Sequence, residues 1–459
     1  MKKFLLVVFL LALTSCGGGN TEEAPIIEQE VVVIESVSPE RDLGGMVINI
    51  ANWWADGETA TIEPNSITER ARWDDRREQE ELYNFTMREV RYGSWHDVRD
   101  NLQMELLSEN RDFQIWIVIP QWFATNHSQR LFSPIPLEHF DYESGIEWNR
   151  SVIELTMRDG QPHGFAHGVG MAGGVYFNMR LLEEAGLERD LPFRLQAENN
   201  WTWETFTDMA RHLSHDTDSD GITDTWAITA FHQEVIAFAL ASNGAAFATI
   251  NPETGRFENS TDTDAFREVV EWMVLLREEG LAFHEDDIGG AWNAFIQMFD
   301  SGHGAIRVAP NYVSGNIQLA DDWGFVAFPR GPRSDVHYAW VTQDINAIPY
   351  FYTEQEIDDI MFAMQRWIRP IEDGDTSDWM FDAYSNHPDP RSVEETMVHF
   401  TRNPNLQSTP AHSMMPGLGN TLDVLFAHRV WVGNDASVII EEAQQVWDSF
   451  LERVNNLGG

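Results

Sequence analysis

Residues 174–230, GVYFNMRLLEEAGLERDLPFRLQAENNWTWETFTDMARHLSHDTDSDGITDTWAITA, are the stretch whose reading decides the fold. Val175-Tyr-Phe-Asn178 is a short β-rich run. Met179 to Ala185 carries a helix with Leu181 and Leu182 apolar, and Gly186 stands where a C′ glycine ends one. Thr202 is an N-cap with Glu204 in the first turn, and Phe206, Met209, Ala210 and Leu213 follow at helical spacing. An acidic loop and a second strand close the stretch, so strand and helix alternate as in an α/β protein.

The acidic loop, Asp216-TDSDGIT-Asp224, is the most chemically specific motif in the chain. Asp216, Asp218 and Asp220 followed by Gly221 match the first half of an EF-hand loop. Ile222 supplies the backbone carbonyl of position 7 and Asp224 stands at position 9. Carboxylates this close repel one another unless a hard cation neutralises them. Position 12 departs from the pattern, because Ala227 stands where the bidentate Glu belongs. The expectation is a structural Ca²⁺ site that pins helix to strand; the alternative is a solvated acidic loop.

The run YFNMRLLEEAGL, the helix opening WTWETFTDMARHL and the D-x-D-x-D-G loop, in that order and spacing, resemble the extracellular solute-binding proteins of bacterial ABC importers, in particular the sugar-binding family 1. The resemblance covers most of 44–459, and it implies two α/β lobes joined by a multi-strand hinge with a ligand cleft between them. It implies further that some members carry calcium in such a loop. On this resemblance the first lobe is 44–162 with 302–344, and the second is 163–301 with 345–459. His163 to Met171 is then the first crossing, and Ser301 to Val308 is the return.

At the amino end, MKKFLLVVFLLALTSC has a basic start and an apolar run from Phe4 to Leu13, too short to span a bilayer. It reads as a signal peptide over 1–15. Leu13-Thr-Ser-Cys16 looks like a lipobox whose cysteine is acylated, which would anchor the protein to the extracytoplasmic face of the cell membrane. Cys16 is the only cysteine, so the chain forms no internal disulfide and no thiolate metal site. Residues 16–43 are rich in Gly, Glu and Val and read as a flexible tether.

The formal net charge is −44, from 30 Lys+Arg against 74 Asp+Glu. That charge repels nucleic acid and anionic headgroups, which makes both poor partners. No lysine follows Lys3, so every basic side chain beyond it is arginine.

Gly44 to Ala51 reads as the opening strand, with Trp53, Trp54 and Asp56 just past its carboxyl end, where α/β sheets bind ligands. Phe113 to Ile119 is a fully apolar strand that leads to Trp122. Asn311 and Tyr312 end another strand, and Trp340, Gln343 and Asp344 stand where the chain would cross between lobes. A sugar offers C–H-lined faces to aromatic rings and hydroxyls to amides and carboxylates. Trp53, Trp54, Trp122, Tyr312 and Trp340 are therefore the expected aromatic wall, and Asp56, Asn311, Gln343 and Asp344 its polar partners. Trp116, Trp201, Trp203, Trp323 and Trp447 lie within strands, at helix starts or on apolar helix faces, and are assigned to packing.

Gly168-x-Gly170-x-x-Gly173 fits a dinucleotide fingerprint, but no apolar strand precedes it and no helix follows. The histidines are scattered in sequence without the H-x-x-x-H spacing of a zinc helix. The resulting expectation is a monomeric, lipid-anchored receptor, without enzymatic activity, that delivers a neutral mono- or oligosaccharide to an ABC permease. Two alternatives stand beside it. One is a sensory or scaffold module of the same fold. The other is a secreted carbohydrate-active enzyme using Asp56 and Asp344 as acid and base.

Overall fold

The computed structural model describes residues 41–55, 67–168, 171–215, 223–251, 253–254, 256–284, 291, 293–342, 344–371, 378–403, 406–408, 411–415, 422–433 and 435–457. Cys16 and the rest of the tether to residue 40, Asp56, Gln343 and the loop residues Asp216, Asp218, Asp220 and Ile222 lie outside the described residues. The last tether residues, 41–43, are held to the first lobe, with Arg41 pairing with Asp358 and Asp359 and the Leu43 N–H donating to the Tyr83 carbonyl at 2.9 Å.

The main strands are β1 (Met46–Asn52), β2 (Phe85–Arg91), β3 (Ile115–Val118), β4 (Met171–Asn178), β5 (Trp226–Ala230), β6 (Gly304–Pro310), β7 (Trp323–Ala327), β8 (Ala339–Thr342), β9 (Ile345–Ala347) and β10 (Gln407–Ser408). They build two sheets. The first has the order β9-β3-β1-β2, with β9 antiparallel to β3 and the rest parallel. The second has the order β10-β8-β4-β6-β5, with β7 also paired to β4. The helices used below are α1 (Ile67–Tyr83), α2 (Trp95–Leu107), α3 (Pro120–Ser128), α4 (Trp203–Leu213), α5 (His232–Ser242), α6 (Asp264–Glu278), α7 (Glu354–Trp367), α8 (Leu422–Val432) and α9 (Ala436–Leu457).

Each sheet is covered on both faces, as the near-continuous apolar strands require. On the first, Trp73 of α1 and Ile360, Met364 and Trp367 of α7 pack on Ile48, Ile50 and Ile115. Val98 and Leu102 of α2 and Phe123 of α3 pack with Trp116 and Val118 on the opposite face. On the second sheet, Val175, Phe177, Ile306 and Val308 face α4, α5, α6 and α9, and Tyr176, Ala309 and Phe325 face a smaller cluster around Phe299 and Val393. All five tryptophans assigned to packing are buried. On α9 the buried side is set by Ile439, Trp447, Phe450 and Val454, and Val438 and Val446 are exposed.

Helix boundaries follow local chemistry. Ser94 and Thr353 open α2 and α7 with capping boxes, and Thr202 opens α4 with one closed by Thr205. Gly186 has φ +76° behind the short helix Met179–Glu184, a conformation a side chain would strain. In β4, a Cβ on Gly174 would lie 2.5 Å from the carbonyl oxygen of Val326 and crowd the Phe325 ring.

Two of the segments along which the chain passes between the sheets lie side by side, and the chain passes again between α7, which packs on the first sheet, and α8 and α9, which pack on the second. Phe165 and Asn346 bond each other at the first sheet, at 3.0 and 2.7 Å. At the second, Val341 and Thr342 pair antiparallel with Ala172 and Met171. The lobe assignment of the later chain is corrected. β6, β7 and β8, expected in the first lobe within 302–344, belong to the second sheet, and β9 with α7, expected in the second lobe within 345–459, packs on the first. The physical reason is that β6 reads as a buried strand in either lobe, and only its long-range pairing with both β4 and β5 decides between them.

Candidate functional site

Strands β5, β6 and β8 run parallel, so their carboxyl ends lie on one edge of the second sheet. From that edge β8 leads through Asp344 into β9, whose Ile345 sits opposite Val118 at the carboxyl end of β3. The carboxyl edges of both sheets therefore meet at the crossing segments, which is where open α/β sheets bind ligands.

The second sheet brings a buried polar group to this edge. Arg307 lies in the middle of β6, only 5% exposed, in register with Tyr176 on one side and Thr229 on the other. Its Nε has no hydrogen-bond partner among the described residues. Glu234 stands in the first turn of α5, directly after β5, where burial pushes its carboxyl up to about 8 against the opposing charge of Arg307. Asp344 is half-buried, and burial pushes it up to about 6. Tyr312 follows β6 in a 3₁₀ turn (Asn311–Asn316) and is 56% exposed. Burial raises its phenol pKa, as do Glu234 and Asp344, against Arg307. One electrostatic neighbourhood thus joins Glu234, Arg307, Tyr312 and Asp344.

Trp340 on β8 packs against Phe238 with ring centres 5.4 Å apart. Some buried indoles have acceptors, such as the Ala327 carbonyl for Trp201 at 2.7 Å and the Phe283 carbonyl for Trp431 at 3.1 Å. The buried Nε1 atoms of Trp340, Trp148 and Trp226 have none among the described residues, and at Trp340 a bound acceptor would remove a cost of about 1–3 kcal/mol. Asn311 is half-buried at the start of the same 3₁₀ turn, and its carbonyl accepts from the Tyr176 hydroxyl.

On the first sheet, Asn52 ends β1. Its side chain accepts from the Ala55 N–H at 2.9 Å and donates to Glu89 at 3.2 Å, which bends the chain and turns Trp53 and Trp54 out of the strand. Trp54 is 46% exposed and meets Trp53 edge-on at 4.7 Å. Trp53 rests on Trp122, with ring centres 5.4 Å apart. Trp122 was expected on the rim, but Pro120 starts a helix at that point and turns the indole inward among Val98, Leu102 and Phe123. It is a floor for Trp53, not a wall.

The two sheets thus offer indole and phenol faces, two carboxyl groups, a guanidinium and an unsatisfied indole N–H around the crossing segments. At neutral pH a carboxyl with the pKa of Glu234 retains a proton to donate, and Asp344 accepts; such a set suits hydroxyl groups in both roles. Glu234 and Arg307 were missed as site residues. The available signal was a charged residue inside the otherwise apolar strand GAIRVAP. A separate cavity of about 440 Å³, lined by residues including His337, Glu395, His399 and Phe400, contains none of these groups.

No family model matches the chain, and no curated protein matches it. Solved structures do. The cyclic α-maltosyl-1,6-maltose binding protein of Arthrobacter globiformis superposes with a TM-score of 0.63 at 13% identity, over 89% of this chain and 100% of that one. The ABC substrate-binding protein Lmo0181 of Listeria monocytogenes, solved with cycloalternan, gives 0.60 at 13% identity over 89% and 99%. UgpB of Mycobacterium tuberculosis, solved with glycerophosphocholine, gives 0.59 at 13% identity over 89% and 99%. The fold is that of the two-lobed periplasmic-binding-protein type.

Proposed function

We propose that this chain is an extracytoplasmic, sugar-binding receptor of family 1, held to the membrane by acylated Cys16, that takes a neutral mono- or oligosaccharide between the carboxyl edges of its two sheets and hands it to an ABC permease. It acts as a monomer and releases the solute unchanged. The observation that carries this reading is the joint neighbourhood of Glu234, Arg307, Tyr312 and Asp344, where the carboxyl ends of β5, β6 and β8 share one edge of the second sheet. Two of the similar structures, a cyclic α-maltosyl-1,6-maltose binding protein and a substrate-binding protein in complex with cycloalternan, support a carbohydrate.

The test is a thermal-shift and calorimetric screen of linear and cyclic gluco-oligosaccharides, with ribitol, tagatose and glycerophosphocholine as other arms. A cognate sugar at about 100-fold over Kd adds ~2.7 kcal/mol of stability. Stabilisation by glycerophosphocholine alone would reassign Arg307 to a phosphodiester, and no response to any sugar would overturn the reading. Palmitate labelling that is lost in Cys16→Ala tests the anchor.

The loop from Asp216 to Asp224 is proposed to hold a structural Ca²⁺. The backbone supports this, because His215 and Thr225 exchange hydrogen bonds at 3.0 and 3.1 Å and tie the two ends of the loop together. Calorimetry with CaCl₂ on chelator-treated protein, wild type against Asp218→Ala, checks it. Equal heats in the two proteins would remove the site.

A further inference from the structure

Three histidines from separate parts of the chain meet beside the amino end of α5. His232 opens that helix, His284 follows the segment bridged to β5 through Ala282, and His428 stands on α8. The ring of His428 is near both others, its centre 5.3 Å from that of His232 and 5.6 Å from that of His284, with planes at 72° and 61°. His232 and His284 are 6% and 2% exposed, whereas His428 is exposed.

Imidazoles that each give one nitrogen to a tetrahedral ion at about 2.0–2.1 Å have ring centres roughly 5 Å apart. The two separations around His428 match that spacing. The core fixes the supports. α8 packs against α5 and α6, and the Trp431 indole donates to the Phe283 carbonyl at 3.1 Å, locking the chain next to His284 onto α8. The Nε2 of His232 is buried and has no hydrogen-bond partner among the described residues. Among those residues no three metal-binding side chains already surround one point, so the exposed His428 ring is the one that has to rotate to close the set.

We propose that His232, His284 and His428 form a tri-histidine site for a divalent transition metal, with Zn²⁺ as the ion that an all-imidazole set with an open fourth position suits. The net charge of −44 favours cation approach.

The experiment titrates tag-free full-length protein with ZnCl₂ by calorimetry, and with Co²⁺ by visible absorption, at pH 7.5 in the presence of excess Ca²⁺. The expected result is one Zn²⁺ per chain and the absorption of four-coordinate Co²⁺. Both are weakened at least tenfold in His428→Ala, whose exposed position leaves the fold intact, and in His232→Gln, while His399→Ala at an exposed site elsewhere binds as the parent does. Absence of stoichiometric Zn²⁺ binding, or equal binding in His428→Ala and parent, would overturn the proposal and leave a packed imidazole cluster. Sugar binding is not needed for the readout, so this test and that of the receptor reading fail separately.

Discussion

Tyr176 and Asn311 are joined by a hydrogen bond from the phenol to the backbone carbonyl, 2.9 Å long, across the joint between β6 and the turn that carries Tyr312. The same hydroxyl reaches the Pro310 carbonyl at 3.1 Å. A central strand therefore sets where Tyr312 leaves the sheet. Tyr176→Phe removes the donor and leaves two carbonyls short, which predicts a loss of about 1–3 kcal/mol in urea unfolding together with weaker solute binding. Unchanged affinity in that variant would show that Tyr312 needs no such fixing.

Tyr312 itself is more than half exposed, so Tyr312→Ala is expected to change unfolding free energy by no more than about 0.5 kcal/mol. Its effect falls on binding. Loss of the phenol face weakens the sugar found in the screen by about tenfold, ~1.4 kcal/mol, measured by calorimetry. Trp340→Phe, which keeps a ring and deletes the N–H, separates stacking from hydrogen bonding at the neighbouring position.

Stability against pH carries a signature of Glu234. Its folded pKa of about 8 lies above the ordinary 4.5, so the folded state holds a proton that the unfolded chain has released. The resulting stabilisation is complete below about pH 4.5 and is lost as pH rises through 8. Asp344 adds the same sign between 3.8 and about 6. Burial acts oppositely on His127, His167 and His232, whose depressed values add stability as pH rises towards 6.5. Between about pH 7.5 and 8 these histidines are largely neutral in both states. There the wild type is expected to lose on the order of 1 kcal/mol per pH unit, and Glu234→Gln much less. Parallel curves for the two proteins would refute the assignment.

Gly174 tests the packing of the second sheet. With the Val326 carbonyl 2.5 Å from where its Cβ would sit, Gly174→Ala forces β4 and β7 apart. The cost is about 1–3 kcal/mol or more, read from the midpoint of denaturant unfolding.

Much of the fold was legible locally. Ser94, Thr202 and Thr353 announce their helices through side chains that bond within three residues, and Gly186 marks an end by the conformation only glycine adopts cheaply. The lobe to which β6 belongs was not legible, because its partners lie far away in sequence and its burial pattern suits either sheet. The site divided on the same line. Tyr312, Trp340 and Asp344 stand at strand ends that punctuation residues reveal. Glu234 hides in a helix that reads as apolar, and Arg307 inside a strand. Trp122 misled because Pro120 starts a helix where a loop was expected. The three histidines share no spacing at all; only the docking of α8 on α5 assembles them.

The antiparallel pairing of the two crossing segments has a mechanical consequence. Strands bonded to each other at both sheets, through Phe165 with Asn346 and Met171 with Thr342, cannot slide past one another without breaking those bonds. Travel between the sheets is then confined to a tilt about a line through the crossing, like a wedge opening from its apex. Groups near the apex, such as Asp344, keep their spacing throughout the stroke, while groups far from it sweep the longest arc. Affinity is thereby set by the residues that barely move, and the rates of capture and release by those that move most.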